Sequence, residues 1–384
     1  MSKPTPAYIE VHVFGGETEG ECIVLKMPDG SFGVVDSCLE KSADGERINP
    51  AIAFLQSRGV STLAFLCLTH PHKDHYLGML SLFQEFHPRQ FWHPAAVSKK
   101  FLQNIIQRTK LPALEAGAFA AIDAADELQE IYFAVVKRLN DSKKKNGKPF
   151  QLVRVTMDLT KSEGHATIRA IAPHGNDVES FESQLATAFT SDGVLKSQLP
   201  AEEFNRISVA LLVICKQFRI LLGGDVENGS WKLIRRDCDE QDWRSRLYKV
   251  SHHGSSGAYC SELEAAVFLS DKGTEAVVTG YRKSSLPTQE VLEVIKTLSN
   301  SLAITHSRHL KPKSIANPDE SRTALAEAFS LAVENTTESR TALNAVFSLD
   351  AKRQSASVGQ CSYYFNKRGE LISSEVVSPA CWVK

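Results

Sequence analysis

Three short apolar runs in this chain each end on groups that bind cations. "TLAFLCL" runs into "THPHKDH", which places His70, His72, Asp74 and His75 within six positions. "FRILL" runs into "GGD", with Asp225, and "RLYKV" runs into "SHHGSSG", with His252 and His253. A short continuous apolar run is the pattern of a buried strand, so all three clusters fall at strand ends. A fold that holds this chain therefore has to gather several strand ends at one edge of a layered core. Imidazole nitrogens and carboxylate oxygens are the ligand set of zinc and similar divalent ions. In an extended segment residues two apart point to the same side, so His70 and His72 can converge on one ion. Asp74 and His75 follow where "DHYLGMLSLFQEF" starts a helix, whose first turn favours a carboxylate. One segment can thus serve two neighbouring ions. A surface loop rich in histidine by chance would account for the first cluster, but not for three strand ends with glycine close to two of them.

The rest of the chain supplies the layers. "YIEVHVF", "ECIVLKM" and "FGVVDS" read as strands separated by the turns "GGETEGE" and "PDGS", and "NPAIAFLQSRG" as a helix with a glycine stop. From Val97 to about Lys148 the pattern is helical. Strand character returns in "PFQLVRVTM", "HATIRAIAP", "ISVALLVIC", "FRILLGGD", "RLYKVSHHGS" and "EAVVTG", a second set that predicts a second sheet packed on the first. The expected class is α+β.

Residues 311–357 differ in kind. "ESRTALAEAFSL" from Glu320 and "ESRTALNAVFSL" from Glu338 repeat at an offset of 18 residues, five turns at about 3.6 residues per turn. They form either one lengthened helix or two antiparallel helices broken near "ENTT"; two copies do not make a solenoid. The stretch offers either a protein partner or self-association a surface, or an amphipathic face for its own domain. The chain closes on "GQCSYYFNKRGELISSEVV", a hairpin around "NKRG".

Composition narrows the function classes. Across 384 residues the net charge is −1, which argues against nucleic-acid binding through a broad basic face. Lys99, Lys100, Arg108 and Lys110 form either a local strand-binding edge or a solvated helix face. No segment reaches the roughly 20 apolar residues of a membrane span, and the N-terminus lacks a signal-peptide run, so a soluble, cytoplasmic protein without membrane contact is expected. Eight scattered cysteines without C-x-x-C spacing read as buried thiols.

With these motifs the sequence resembles the metallo-β-lactamase fold superfamily. The likeness rests on His-x-His-x-Asp-His at 70–75, Gly-Asp at 224–225, His-His-Gly-Ser at 252–255, and the opening "GGETEGECIVLKMPDGSFGVVDS" that ends near Asp36. "NRISVALLV", "RILLGGDVE" and "LYKVSHHGSSG" most resemble the hydrolase domain of ComEC-type competence proteins and phosphorylcholine esterases. The resemblance implies a four-layer αββα sandwich over residues 1–310, with a helical insertion at 97–148. A repeat-bearing extension and hairpin would follow at 311–384. It implies two divalent ions, zinc or manganese. His70 and His72 would hold the first, Asp74 and His75 the second, and Asp225 both. One of His252 and His253 would complete the second site while the other faces substrate. The family adds a further histidine on the first ion; His174 in "IAPHGND" is the candidate and His165 the alternative, although "PHGND" is also a good turn. Leu286 in "SSLPTQ" stands where ComEC-type domains tend to carry a histidine.

The resemblance further implies hydrolysis by a bridging hydroxide, with Asp74, Asp225, His252 and His253 catalytic. Ser255 would contact a phosphate oxygen and Asn205 would contact substrate, or with Ser208 orient its neighbours. The expected substrate is a phosphodiester in DNA, RNA or a nucleotide. Hydrolysis of a lactone, thioester or β-lactam on the same ions is the alternative, and a metal-bound partner-binding module without catalysis is the third reading.

Overall fold

The structure is a computed structural model that describes residues 8–16, 20–41, 46–96, 125–142, 150–157, 159–187, 201–216, 218–238, 243–271, 273–281, 284–306, 358–377 and 380–383. Strands β1 (Ile9–Gly16), β2 (Glu21–Lys26) and β3 (Phe32–Val35) form an antiparallel meander. A short ribbon, β4 (Glu40–Lys41) with β5 (Arg47–Ile48), leads into helix α1 (Pro50–Ser57). Asn49 caps α1 by accepting the Ala51 N–H at 3.0 Å, and Pro50 occupies the first turn, where no donor is needed. Strand β6 (Phe65–Cys67) then runs parallel to β3.

After β6 the chain does not form the single helix expected from "DHYLGMLSLFQEF". One turn, α2 (Lys73–Tyr76), is followed by a separate helix α3 (Met79–Phe86). Gly78 makes the break with φ +79°, and a Cβ there would lie 2.6 Å from the Leu39 side chain. The break turns Met79, Leu82, Phe83 and Phe86 onto the core while His75 stays under the end of β6. Strand β7 (Gln90–Pro94), helix α4 (Ala125–Ser142) and β8 (Gln151–Val155) complete this half. Strand β8 pairs with β7, so "PFQLVRVTM" belongs to the first sheet and not to the second set.

The second half contains β9 (Thr160–Glu163), β10 (Ala166–Ala172), α5 (Gly175–Thr187), α6 (Ala201–Arg206), β11 (Ala210–Cys215) and β12 (Phe218–Leu222). It continues through α7 (Asn228–Asp237), β13 (Leu247–Lys249), α8 (Ser261–Val267), β14 (Glu275–Val278), α9 (Gln289–Leu298) and β15 (Ser301–Ile304). Strands β16 (Val358–Phe365), β17 (Leu371–Val377) and β18 (Cys381–Trp382) close the chain.

Two sheets result, with order β17-β16-β1-β2-β3-β6-β7-β8 and order β18-β15-β14-β13-β12-β11-β10-β9. Alternation along each strand divides the core into layers. On β2, Ile23 and Leu25 face the second sheet and pack with Ile168, Val213, Ile220 and Val277. Cys22 and Val24 face outward, toward α1, α3 and α4 through Leu55, Phe83 and Ile131. On the far side Leu212, Leu221 and Ala276 meet Trp231, Leu263 and Leu292 of α7, α8 and α9. The fold is thus α+β, the four-layer αββα sandwich expected.

The C-terminal hairpin around Asn366 and Gly369 forms as expected. It is woven into the sandwich: β16 pairs with β1 from Ile9↔Phe365 to Gly16↔Val358, and β18 pairs with β15. Residues 358–377 and 380–383 are therefore structural members of the two sheets, not a unit apart. The repeat at 320–349 and residues 97–124, with Lys99, Lys100, Arg108 and Lys110, lie outside the described residues. None of the eight cysteines forms a disulfide, and only Cys238 is not buried. Among the described residues no helix is long and apolar enough to cross a membrane.

Candidate metal centre

Backbone turns bring the three motifs together at one edge of the sandwich. Beyond β6 the Thr69 N–H and hydroxyl both donate to Asp36, each at 2.7 Å, which fixes the loop that carries His70 and His72. Val209 N–H donates to Thr69 O at 3.0 Å, and the Asp225 N–H donates to Ser208 Oγ at 2.9 Å, so the segment before β11 ties the first motif to the second. Gly224 permits this: its φ is +53°, and a Cβ would lie 2.5 Å from Val209 O. His252 and His253 both adopt left-handed backbone, φ +44° and +52°, which turns two adjacent imidazoles toward one point.

That point is Asp225. Its Oδ2 lies 3.3 Å from His75 Nε2, 3.8 Å from His70 Nε2 and 3.9 Å from both His252 Nε2 and His253 Nε2. Asp74 Oδ2 lies 3.2 Å from His253 Nε2 and 3.7 Å from His75 Nε2. His72 Nδ1 sits 2.9 Å from His70 Nε2. Asp74, His75, Asp225 and His253 form one compact group of ligand atoms, and Glu21, Asp36 and His75 a second. Burial of such groups costs several kcal/mol per ion unless each finds a partner. Yet Asp225 Oδ1 and His75 Nε2 are buried without a hydrogen bond. Orphaned donor atoms of this kind, in a cluster of imidazoles and carboxylates, fit a divalent cation.

The protonation states agree with a ligand role for His70 and with strong charge coupling around His75. Burial, with His75 and His72 close by, holds His70 well below its ordinary value, so it is a neutral donor. Burial would also lower His75, but Asp225, Asp36 and Asp74 outweigh it and raise the ring well above the usual histidine range. Asp225 is depressed in turn: burial opposes ionisation, and His75 and His253 more than offset it. Asp36 accepts from His75 Nδ1 at 2.7 Å, which aims His75 Nε2 at the cluster.

The two histidines of 252–253 separate in role. His253 is buried inside the four-residue group, whereas the His252 side chain is 22% exposed at the rim, with Nδ1 3.4 Å from Glu227. Asn205 is also buried; its amide donates to Glu227 at 2.9 Å, so it braces the rim. Ser255 Oγ accepts the Gly257 N–H at 3.2 Å. Leu286 is buried and its backbone exchanges two hydrogen bonds with Tyr281, whose ring stacks on His253 at 5.0 Å.

His174 is not brought to this centre. Its Nε2 bonds Asp237 at 2.8 Å and its Nδ1 accepts the Asn176 N–H at 3.1 Å, so both nitrogens serve the start of α5 and the end of α7. The turn reading of "PHGND" is the one the structure adopts. His165 is exposed in the β9–β10 turn. Sequence reasoning passed over Glu21, Glu227, Lys249 and Thr279. Lys249 carried a signal, a charge inside the apolar run that precedes "SHHG".

No protein-family model matches the chain, and no curated protein matches it. Solved structures resemble it weakly. The metallo-β-lactamase fold protein YhfI from Bacillus subtilis matches at 10% identity over 78% of this chain and 95% of that chain, TM-score 0.36. A diphosphatase from the PhnP family matches at 9% identity over 78% and 95%, TM-score 0.34. A mutant of CmlA β-hydroxylase matches at 15% identity over 77% of this chain and 45% of that one, TM-score 0.36. Likeness this low leaves the chemistry to be read from the side chains.

Proposed function

We propose that this chain is a metal-dependent hydrolase that cleaves phosphodiester bonds. The observation that carries the reading is Asp225, with one carboxylate oxygen facing four imidazoles and the other buried without a hydrogen bond. His70, His72 and Asp225 would hold one divalent ion, and Asp74, His75, Asp225 and His253 a second; the donor set suits zinc or manganese. Ions bound there would supply hydroxide near neutral pH and would stabilise negative charge on the attacked phosphoryl group.

The chain's own groups do the rest. Asp74, with a 14% exposed side chain, is the most exposed carboxylate of the ligand groups, and it accepts the proton of the attacking water. His252, steadied by Glu227, which Asn205 holds, donates from Nε2 to a phosphate oxygen at the rim. Ser255 already accepts from Gly257, so its hydroxyl proton is available for a second phosphate oxygen. Donors of this kind favour an anionic ester over a neutral carbonyl substrate.

The test compares wild type with Asp74→Asn on bis-p-nitrophenyl phosphate, single-stranded DNA, RNA, cyclic dinucleotides and nitrocefin, with zinc or manganese added. The expected result is ion-dependent phosphodiester cleavage that falls about 10²- to 10⁴-fold in the variant. Nitrocefin turnover without phosphodiester cleavage would replace this reading with carbonyl hydrolysis. Bound ions without any turnover would point to a partner-binding module.

A further inference from the structure

Behind His253 lies a buried chain of polar groups that the proposed reaction does not use. Glu21 opens β2 in the first sheet, while Lys249 ends β13 and Thr279 follows β14 in the second. Glu21 and Lys249 form an ion pair that is sealed from solvent, at 1% and 0% side-chain exposure. The Thr279 hydroxyl donates to Glu21 Oε2 at 2.5 Å, and Thr279 Oγ1 lies 2.9 Å from His253 Nδ1.

We propose that Glu21, locked by Lys249, is a positioning residue that acts through Thr279 to hold His253 as the Nδ1–H tautomer, with the Nε2 lone pair turned to the metal centre. The inference rests on reading that centre as metal-binding. A carboxylate paired with an ammonium only accepts, so the single proton of Thr279 is committed to Glu21. Thr279 Oγ1 is then left as an acceptor, and its neighbour at 2.9 Å has to be an N–H. In the neutral ring this leaves Nε2 unprotonated and facing the acceptor Asp74 Oδ2 at 3.2 Å, a contact that a cation between the two atoms would satisfy, with Asp225 at 3.9 Å. The other tautomer would donate to Asp74 instead, but at Thr279 it would set two lone pairs against each other, or turn the hydroxyl away and strip Glu21 of a partner. Lys249 is costly to bury and is accounted for by this task, since Asp225 adds further negative charge near Glu21. His75 and His253 thus reach the same centre oriented by two carboxylates, Asp36 by direct contact and Glu21 through a hydroxyl.

The experiment uses the full chain with Thr279→Val and Thr279→Ser, and reads two signals. One is the ¹⁵N shifts of the neutral His253 ring in metal-free protein; the other is titration with Co²⁺ alone, followed by its absorption bands. Thr279→Val is expected to lose Nδ1–H dominance and to weaken one Co²⁺ site about 10- to 100-fold, while Thr279→Ser restores both. Unchanged ring shifts and a wild-type titration in Thr279→Val would overturn the relay. If wild-type protein binds no Co²⁺, the metal reading fails by itself; the ring shifts of Thr279→Val then decide the relay, a change sustaining it and no change removing it. If Thr279→Val does not fold, the double variant Glu21→Gln with Lys249→Met takes its place. Its amide can donate to Thr279 and is expected to move the ring toward Nε2–H; unchanged shifts there would overturn the proposal.

Discussion

Asp225 Oδ2 lies 3.3 Å from His75 Nε2, yet Asp225 Oδ1 and His75 Nε2 are both buried without a hydrogen bond. Buried polar atoms in folded proteins are nearly always satisfied, so two orphans side by side mark a site built for something else to occupy. The backbone supports that view, because His252 and His253 accept left-handed strain to bring these atoms together, and Gly224 supplies a positive φ that needs no Cβ.

The turn at Gly224 can be tested directly. Gly224→Ala would place a Cβ 2.5 Å from Val209 O at a backbone φ of +53°, so Asp225 has to move. A destabilisation of about 1–3 kcal/mol is expected in urea unfolding, with a loss of metal affinity greater than that stability change alone would cause.

Lys249 offers a second test. Lys249→Met leaves Glu21 buried without its ammonium, and a loss of about 3–5 kcal/mol is expected in chemical denaturation. Glu21→Gln with Lys249→Met is expected to recover much of it, because no unpaired charge then remains; equal loss in the single and double variants would contradict this account of the pair.

Glu10 should govern part of the acid limb of stability. Burial would raise its carboxyl, but His12 and Lys26 outweigh burial and bring it down to about 2. Lys26 Nζ donates to it at 2.6 Å, and Arg58 at 3.2 Å. A carboxyl depressed in the folded state stabilises the fold above its unfolded pKa, near 4.5, and loses that contribution as pH falls toward about 2. Unfolding midpoints measured between about pH 5 and pH 2 should drop less steeply in Glu10→Gln than in wild type.

His93 is expected to respond in the opposite sense. It is 1% exposed beside Phe91 and Tyr132, and neither ring nitrogen has a hydrogen bond. Burial, aided by Arg154, pushes the ring down to about 3, so it is neutral and unsatisfied. His93→Phe removes two buried unmet groups and is expected to raise stability by about 1–2 kcal/mol in urea unfolding; a loss would show that the imidazole has a task.

Where the chemistry was local, the sequence was informative. His70, His72, Asp74 and His75 lie within one turn of chain, and their apolar strand and following glycines were visible, so the structure brings them where the spacing placed them. His174 escaped because its partners, Asp237 and the Asn176 N–H, depend on how α5 and α7 pack, and a turn-forming "PHGND" reads the same either way. Glu21 and Lys249 escaped for a related reason: they meet only across two sheets, from strands 228 positions apart, counting from 21 to 249. Two packed sheets followed from the strand-like runs and helical stretches, whereas the four-layer order came only with the family resemblance. The pairing of β16 with β1 and of β18 with β15 is a long-range choice that alternation within a strand does not specify.

The most direct test of the account is the metal content of purified wild-type and Asp225→Asn protein after zinc loading, measured by elemental analysis with a competing chelator. Two equivalents are expected in wild type, with affinity in Asp225→Asn reduced by more than the roughly 10- to 100-fold that loss of a supporting residue causes. Wild-type protein that binds no zinc or manganese, or an Asp225→Asn variant that retains both ions at wild-type affinity, would contradict it.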